Sequence, residues 1–299
     1  MTRSTELANA LLAAVIIAIH ISSFSGPLFL GARLFAFSSV IMVLFAMATP
    51  AHWGLVHEGI HGRLLVRPLR NRLASRILAV LLGFSFDLVQ FGHLMHHRHN
   101  GHEFDRPDRI RPGELLWKSL LRHYSHLLGG RYIMTAAAGI LEFAPASALD
   151  RMLKDAYCGR APELAAIQRA AVKWFSSRGR ILRIRVDFAI SLAILAIGFM
   201  QFGRWWPVLF LALGVRALIY SVLDNLPHYG RDGKGEAPSA NLKLAPWASV
   251  VVRSHNHHGI HHDRPDLDWR RVAKESAHVK TDGGYLSAAL LQFKSPVHY

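Results

Sequence analysis

The chain has 299 residues, of which 51% are hydrophobic and only 18% are charged. This composition is too apolar for an ordinary soluble protein, and the length suits a single domain. Lysine and arginine outnumber aspartate and glutamate by 35 to 20, for a formal net charge of +15. The basic stretches carry no nucleic-acid-binding motif and no aromatic interleaving, so the excess indicates a positive cytoplasmic face beside anionic lipid. The single cysteine, Cys158, excludes an internal disulfide and any metal site built on several thiolates.

Four apolar stretches have the length and composition of membrane-spanning helices. They predict spans at residues 7–24, 34–55, 184–202 and 205–223. The first stretch also fits a signal peptide, but no small-residue cleavage site follows it. The predicted fold class is therefore all-α: an integral membrane helical bundle of four transmembrane helices, forming one domain over residues 1–299. Its cytoplasmic cap comprises residues 57–180 and 224–299.

The basic segment after the second span fixes the predicted orientation. Five arginines lie between Arg63 and Arg76, and such density is typical of the cytoplasmic side. The following stretch, Ile77 to Phe91, is apolar but short and contains Asp87, so we interpret it as a re-entrant or interfacial piece. Two hairpins of spans then put both termini and the basic middle region in the cytoplasm, and we expect a bacterial inner membrane. Interfacial helices are expected from Arg106 to about Arg180.

Three histidine clusters repeat a helical spacing. They are His57 and His61; His93, His96 and His97; and His258, His261 and His262. Residues at i, i+3 and i+4 share one helix face, so each cluster can direct its imidazoles at one point. All three clusters follow or end apolar segments that the predicted topology places on one side. Eight clustered histidines are too many for one ion, so two metal ions are predicted, among the metals that imidazole suits: zinc, copper, iron and nickel.

Acidic residues accompany each cluster. Neutral imidazoles leave the charge of the ions uncompensated, so nearby carboxylates are expected to accept the free ring N–H of each ligand. The candidates are Glu58, Asp105, Asp108, Asp263 and Asp266.

Two other readings compete with a two-ion oxidative site. The run from His57 to His61 also fits H-E-x-x-H, the pattern of a zinc protease in which Glu58 is the general base. That reading leaves the other six clustered histidines without a role. A non-catalytic metal-binding membrane protein or transporter is the second alternative, and it predicts bound metal without oxygen consumption. No G-x-S-x-G or G-x-G-x-x-G motif indicates a serine hydrolase or a bound nicotinamide or flavin.

Together the three clusters resemble the three histidine boxes of the membrane fatty acid desaturase superfamily, over about His57 to Trp269. A further element supports the resemblance: the last span ends in Asn225-Leu226-Pro227-His228, where desaturases similarly carry an Asn followed three residues later by a ligand His. The resemblance implies that Asn225 holds a water on one iron. It also implies nine iron ligands: His57, His61, His93, His96, His97, His228, His258, His261 and His262.

The resemblance further implies an activity. The chain is expected to be an oxygen-dependent di-iron oxidoreductase of long-chain lipids, most specifically a fatty acyl desaturase. A carotenoid ketolase or hydroxylase and an alkyl-chain hydroxylase of the same superfamily remain open, because the second and third boxes fit both acyl desaturases and carotenoid ketolases. The expected cofactors are two iron ions, with O2 as co-substrate. Electrons would come from a ferredoxin or a cytochrome b5-like donor docked on the basic face at Arg63–Arg76 and Arg106–Arg122.

The remaining histidines have no assigned role. His99, His102, His255 and His257 lie next to the boxes and are expected to support the ligands or to replace one of them. Surface or interface positions are expected for His20, His52, His123, His126, His278 and His298. The other two polar residues within the spans, Asp187 and Arg216, are expected near helix ends or an interface.

Overall fold

The computed structural model describes residues 1–30, 35–102, 105–144, 162–231 and 237–297. Most of these residues are helical, which confirms the predicted helical class. Cys158 and His298, the first residue of the second predicted span and part of the predicted cap lie outside the described residues.

The helices of the bundle lie in two parts of the chain, before residue 145 and after residue 161. They are α1 (Arg3–Leu30), α2 (Phe35–Met47), α3 (Thr49–Ile60), α4 (Pro68–Leu81), α5 (Phe86–His99), α6 (Leu116–Ser125), α7 (Arg131–Ala137), α8 (Pro162–Phe175), α9 (Arg178–Phe202) and α10 (Trp206–Asn225). A π-helical turn, His126–Gly130, joins α6 to α7, and 3-10 turns occupy Ala138–Phe143 and Gly203–Trp205. The tail holds β1 (Leu242–Lys243), α11 (Pro246–Val251), α12 (His258–Asp263), α13 (Trp269–Glu275), the 3-10 turn Ser276–His278, β2 (Gly283–Gly284) and α14 (Tyr285–Leu291).

Three stretches of the described residues are long and apolar enough to cross a membrane: Arg3–Phe24, Val40–Ile60 and Arg178–Asn225. The third holds two helices, α9 and α10, joined at the turn where two separate spans are predicted. A fourth candidate is the pair α4 and α5, which bend by 99° relative to each other. The number of crossings and their orientation stay predictions.

The bend between α4 and α5 has a local cause. Gly83 lies in the turn with φ of +90°, a conformation that disfavours any residue with a side chain. Just beyond it, the fully buried Asp87 carboxylate accepts hydrogen bonds from Arg183 at 3.1 Å and from Arg76. Arg76 also pairs with Asp187 at 2.6 Å. This network ties α4, α5 and α9 together. It explains how the short apolar segment from Ile77 to Phe91 accommodates the charged side chain of Asp87.

An apolar and aromatic core fills the bundle beneath the histidines. Trp53, Phe84 and Tyr220 stack edge to face, with ring centroids 5.1 Å apart in both the Trp53–Tyr220 and Phe84–Tyr220 pairs. Leu55 on α3 is fully buried in the same cluster. Trp53 lies on α3, Phe84 in the turn before α5 and Tyr220 on α10, so these contacts bring the three parts of the chain together. The histidines of α3 and α5, and His228 just after α10, then lie at the same end of the bundle.

The tail packs on that end. Trp269 Nε1 donates to Asn9 Oδ1 at 3.0 Å, and Arg253 donates to the Ala8 carbonyl at 3.0 Å. Asn9 in turn donates to the Leu64 carbonyl, just after α3. The start of α1, the segment after α3 and the tail therefore meet, as the two-hairpin topology predicts.

Several expectations about individual charged and polar residues are wrong. His20, Asp187 and Arg216 are each only 2% exposed and are held inside the bundle, because each has a polar partner there. His52 and His123 are equally buried rather than at a surface. Two further residues correct the predicted donor-docking face: Arg106 and Arg109 are buried. Arg106 pairs with Asp108 and donates to the His228 carbonyl, so it supports the fold instead of facing a partner.

Candidate metal centre

The nine predicted ligands gather in two groups at the bundle end under the tail. One group contains His57, His61, His93, His97 and His261, and the other contains His96, His228, His258 and His262. Within each group, one ring nitrogen per residue lies within 4.8 Å of the others. Each group combines residues that are far apart in sequence, so the bundle and the tail must both be folded for either to form.

In the five-histidine group the Nε2 atoms converge. His93 Nε2 lies 2.9 Å from His61 Nε2 and 3.0 Å from His97 Nε2, while His261 Nε2 lies 3.1 Å from His97 Nε2. His57 Nε2 is buried and has no hydrogen-bond partner among the described residues. A neutral imidazole has only one N–H, so such a cluster cannot be satisfied by hydrogen bonds among its own members.

The four-histidine group repeats this convergence. His262 Nε2 lies 3.2 Å from His96 Nε2 and 3.1 Å from His258 Nε2. The His228 ring completes the group, with its centroid 4.5 Å from that of His96 and 4.9 Å from that of His258.

Contacts on the far side of two rings fix which nitrogen faces inward. His96 Nδ1 donates to the Asp105 carboxylate at 2.6 Å, and His228 Nδ1 donates to the Pro238 carbonyl at 3.3 Å. A proton on Nδ1 leaves the Nε2 lone pair free, and this is the tautomer of a metal ligand held by an outer hydrogen bond. The outer contacts therefore favour metal binding through Nε2.

The protonation state of the tail histidines agrees with that tautomer. Burial lowers the pKa of the His258, His261 and His262 imidazoles, and the neighbouring imidazoles lower it further. The pKa of His228 is also lowered, by burial and then by His96 and His262. At neutral pH these rings are uncharged and keep a lone pair available. The donor set, two inward-facing groups of imidazoles, fits two divalent transition-metal ions.

Small residues between the ligands permit the close packing. Gly59 lies between His57 and His61, and a Cβ added there would come within 2.0 Å of the Ser75 hydroxyl oxygen. Helix α3 therefore packs on α4 at a distance that only glycine allows. Before the third cluster, Arg253 and Ser254 adopt φ of 52° and 56°, an uncommon conformation that turns the chain into the histidine-bearing helix α12.

A cavity of about 230 Å³ opens beside both groups. His93 from the first group and His96, His228 and His258 from the second line one wall. Most of the other lining residues are apolar; they include Trp53, Leu88, Val89, Met134, Ala138 and Tyr220. An apolar molecule seated there would place its nearest atoms against the histidines.

A family model described as fatty acid desaturase matches residues 31–290, most of the chain. The chain belongs to the fatty acid desaturase family. No curated protein matches the chain. The family comprises membrane-associated oxidoreductases of the desaturase and hydroxylase type, which act on lipids and take electrons from a donor. The histidine groups of this family member are compatible with a metal site.

The predicted acidic partners lie in different surroundings. Asp105 alone contacts a predicted ligand, His96. Glu58 is buried and accepts from the Trp269 backbone N–H at 3.3 Å, while Asp108 pairs with Arg106 and accepts from Gly230 N–H. Asp263 is exposed, and Asp266 forms an exposed pair with Arg264. Asn225 is buried and donates to Gln292 Oε1 at 2.8 Å.

Several residues around the two histidine groups were not singled out from the sequence. The Asn100 side-chain amide lies 3.1 Å from His262 Nδ1, and Asp224 forms a 2.7 Å ion pair with Arg131 at the cavity wall. Asn100 directly follows the second box and was within reach of sequence reasoning, whereas nothing local marks Arg131. His255, one of the histidines left open, has its ring against those of His57 and His258 and lines the cavity between the two groups.

Proposed function

We propose that this desaturase-family protein binds two iron ions through its nine clustered histidines and catalyses an oxygen-dependent oxidation of a long-chain lipid. The specific reaction we propose is desaturation of a fatty acyl chain. The observation that carries the proposal is the pair of histidine groups of five and four members, converging on two points beside one apolar cavity. Two points with ligands to spare fit two ions, whereas a zinc protease needs only three protein ligands and one ion.

The chemistry that bound iron supplies is the reduction of O2 and the removal of hydrogen from an unactivated CH2 group. The chain's own residues hold and orient the site. His96 and His228 are fixed by outer hydrogen bonds, so their Nε2 atoms are aligned before any ion binds. The Trp53 and Tyr220 rings pack edge to face on the core side of the site and exclude water there.

The cavity wall accounts for an apolar substrate. Leu88, Val89, Met134 and Ala138 offer only dispersion contacts, which suit a hydrocarbon chain. The Arg131–Asp224 pair lies where this cavity meets a more polar one of about 360 Å³, lined by Arg111 and Arg122 among others. We propose that the acyl chain lies in the apolar cavity and that its polar head group extends toward the polar one.

Electrons come from an external donor, and we propose that it docks on the exposed part of the basic segment after α3. Arg67, Arg70 and Arg72 are exposed there. Complementary charge would steer an acidic donor protein to this face, so raising the salt concentration should slow turnover with the protein donor. A rate that is insensitive to salt would contradict docking by charge.

Product analysis tests the proposed function. Cells that express the chain are supplied with fatty acids and, separately, with β-carotene, and their lipids and pigments are profiled by mass spectrometry. New unsaturated acyl chains that disappear in the His97→Ala and His261→Ala variants are the expected result. Oxidised carotenoid instead would assign the ketolase or hydroxylase activity. Bound metal without oxygen consumption or any product would contradict an oxidative function.

A further inference from the structure

A second buried polar cluster lies inside the bundle, away from the metal centre. Its middle is Arg216 on α10, which is 2% exposed. Its guanidinium donates to His20 Nε2 at 3.0 Å and to His52 Nδ1 at 2.8 Å. The Phe45 ring covers it, with the guanidinium carbon 4.5 Å from the ring centroid. We refer to Arg216, His20, His52 and Phe45 as the arginine cluster.

Both histidines of the arginine cluster are neutral. Each accepts a hydrogen bond from Arg216 on one ring nitrogen, so the proton must be on the other. That other nitrogen donates to a backbone carbonyl: His20 Nδ1 to Ile16 at 2.8 Å and His52 Nε2 to Leu78 at 2.7 Å. Every histidine nitrogen is therefore used, and neither ring supplies negative charge. The cluster keeps the full positive charge of the guanidinium.

No carboxylate among the described residues pairs with Arg216. Its Nε–H is buried and has no hydrogen-bond partner among them, although a guanidinium offers five N–H donors. A buried and uncompensated cation is costly within a membrane-spanning segment, and ionisable residues in that position generally mark a function. The structure thus presents unused donors and an unbalanced charge at one point.

A cavity of about 290 Å³ lies next to this charge. Its walls come from α4, α7, α9 and α10 and are almost wholly apolar; they include Val80, Ile133, Phe188, Leu195 and Leu213. Arg216 is the only charged residue among the described residues that line it. Its volume is near the lower limit of small-ligand pockets. An apolar space with a single cation among its described lining residues matches an amphiphile with one apolar chain and an anionic end.

This cavity is separate from the metal-centre cavity. The short helix α7 divides them: Met134 and Thr135 face the metal-centre cavity, whereas Ile133 and Ala136 face the other one. The Tyr132 and Tyr220 rings, 5.8 Å apart, add an aromatic wall between the two spaces.

We propose that the cavity beside Arg216 is a binding site for a fatty acid anion, with the acyl chain along the apolar walls and the carboxylate on the guanidinium. The carboxylate would accept the unused N–H groups and neutralise the buried charge, and charge-assisted bonds of this kind are the strong ones in proteins. His20 and His52 hold the guanidinium in position by accepting hydrogen bonds from its two terminal nitrogens. The site does not require the metal centre.

Native mass spectrometry of the purified full chain in nonionic detergent tests this proposal. The probes are laurate, methyl laurate, dodecyl phosphate and acetate. Laurate is expected to bind at least ~10-fold more tightly than methyl laurate, because the ester loses a charge-assisted hydrogen bond worth about one decade of affinity. Acetate, which lacks the chain, should not bind. Tighter binding of dodecyl phosphate than of laurate would identify a phosphate head group and overturn the assignment to a fatty acid.

Matched variants locate the site. Arg216→Gln should lower laurate affinity ~10-fold or more and leave methyl laurate unchanged, whereas Arg204→Gln, at an exposed arginine, should change neither. Ala137→Phe, which fills the cavity from an exposed position on α7, should lower the affinity of both ligands and decides the question if Arg216→Gln does not fold. Laurate binding that survives both Arg216→Gln and Ala137→Phe would contradict the proposal.

One further variant separates this site from the proposed oxidation. His97→Ala should leave laurate binding unchanged, since His97 belongs to the metal centre on the other side of α7. Loss of laurate binding in His97→Ala would place the ligand in the metal-centre cavity and overturn the inference. If the chain instead proved inactive as an oxidoreductase, binding of laurate at Arg216 would be unaffected.

Discussion

The arginine cluster and the metal centre both contain buried histidines, but the ring nitrogens have different partners in the two places. In the arginine cluster, both nitrogens of His20 and of His52 have a hydrogen-bond partner. In the metal centre, Nε2 atoms approach one another at about 3 Å, and the buried Nε2 of His57 has no partner among the described residues. Buried histidines occur in both places. What distinguishes a candidate metal site is the set of lone pairs that no hydrogen bond uses.

Removal of one ligand from the metal centre should have the largest effect. We expect His97→Ala to lower product formation more than ~100-fold and to reduce the bound metal, because even loss of an outer contact to a metal ligand costs 10–100-fold. Product is measured by mass spectrometry, and metal is measured by elemental analysis. His278→Ala, at an exposed histidine, is the control and should behave as wild type. Full activity of His97→Ala would show that this residue is not a ligand.

Removal of an outer contact should have a smaller and one-sided effect. Asp105→Ala deletes the acceptor of His96 Nδ1–H, so we expect ~10–100-fold weaker metal binding at the four-histidine group only. Metal titration followed by elemental analysis should show one of two ions bound weakly. Asp266→Ala serves as the matched control, since Asp266 is exposed and pairs only with Arg264 among the described residues. Equal affinities in the two variants would mean that Asp105 does not orient a ligand.

Chelation should lower the stability of the folded protein by removing metal from the metal centre. A metal present at 100 times its Kd stabilises the folded state by ~2.7 kcal/mol, so a chelator should lower the thermal unfolding midpoint of the wild type and added Fe2+ should restore it. His97→Ala should respond much less. An unfolding midpoint that does not move on chelation in the wild type would argue that the convergent imidazoles do not hold a metal.

The smallest effect is expected in the arginine cluster. His52→Ala removes one acceptor from Arg216 and should lower the free energy of unfolding by ~1–3 kcal/mol, the cost of leaving a buried donor unsatisfied. The loss should be the same with and without metal, as followed by thermal unfolding in detergent. A loss of stability that appears only in the metal-loaded protein would indicate that the arginine cluster and the metal centre are energetically coupled.

The convergence of the clustered histidines was largely predictable because their spacing is repeated. Spacing on a helix already places His93, His96 and His97 on one face, and the resemblance adds His228. Division of these residues between the two groups was not predictable. His96 and His97 are neighbours in sequence but belong to different groups, since successive helix positions point about 100° apart and the tail supplies a partner for each.

The arginine cluster could not be found from the sequence. His20, His52 and Arg216 lie on three different helices with no motif among them. Local reasoning about a polar residue in an apolar span therefore favoured a helix end, and only the packing of α1, α3 and α10 brings the three together. The acidic partners show the same limit: proximity in sequence suggested Asp263 and Asp266, yet both are exposed.

Each histidine group includes residues from α12, in the tail that closes over the bundle. His261 is needed to complete one group and His258 and His262 the other, so neither can form on a growing chain whose tail has not yet been translated. Binding of a metal by either complete group would therefore follow synthesis of the tail. Until then, the histidines of the bundle form an incomplete ligand set, which should bind metal with lower affinity. The tail is therefore the last part of the chain that either group needs before it is complete.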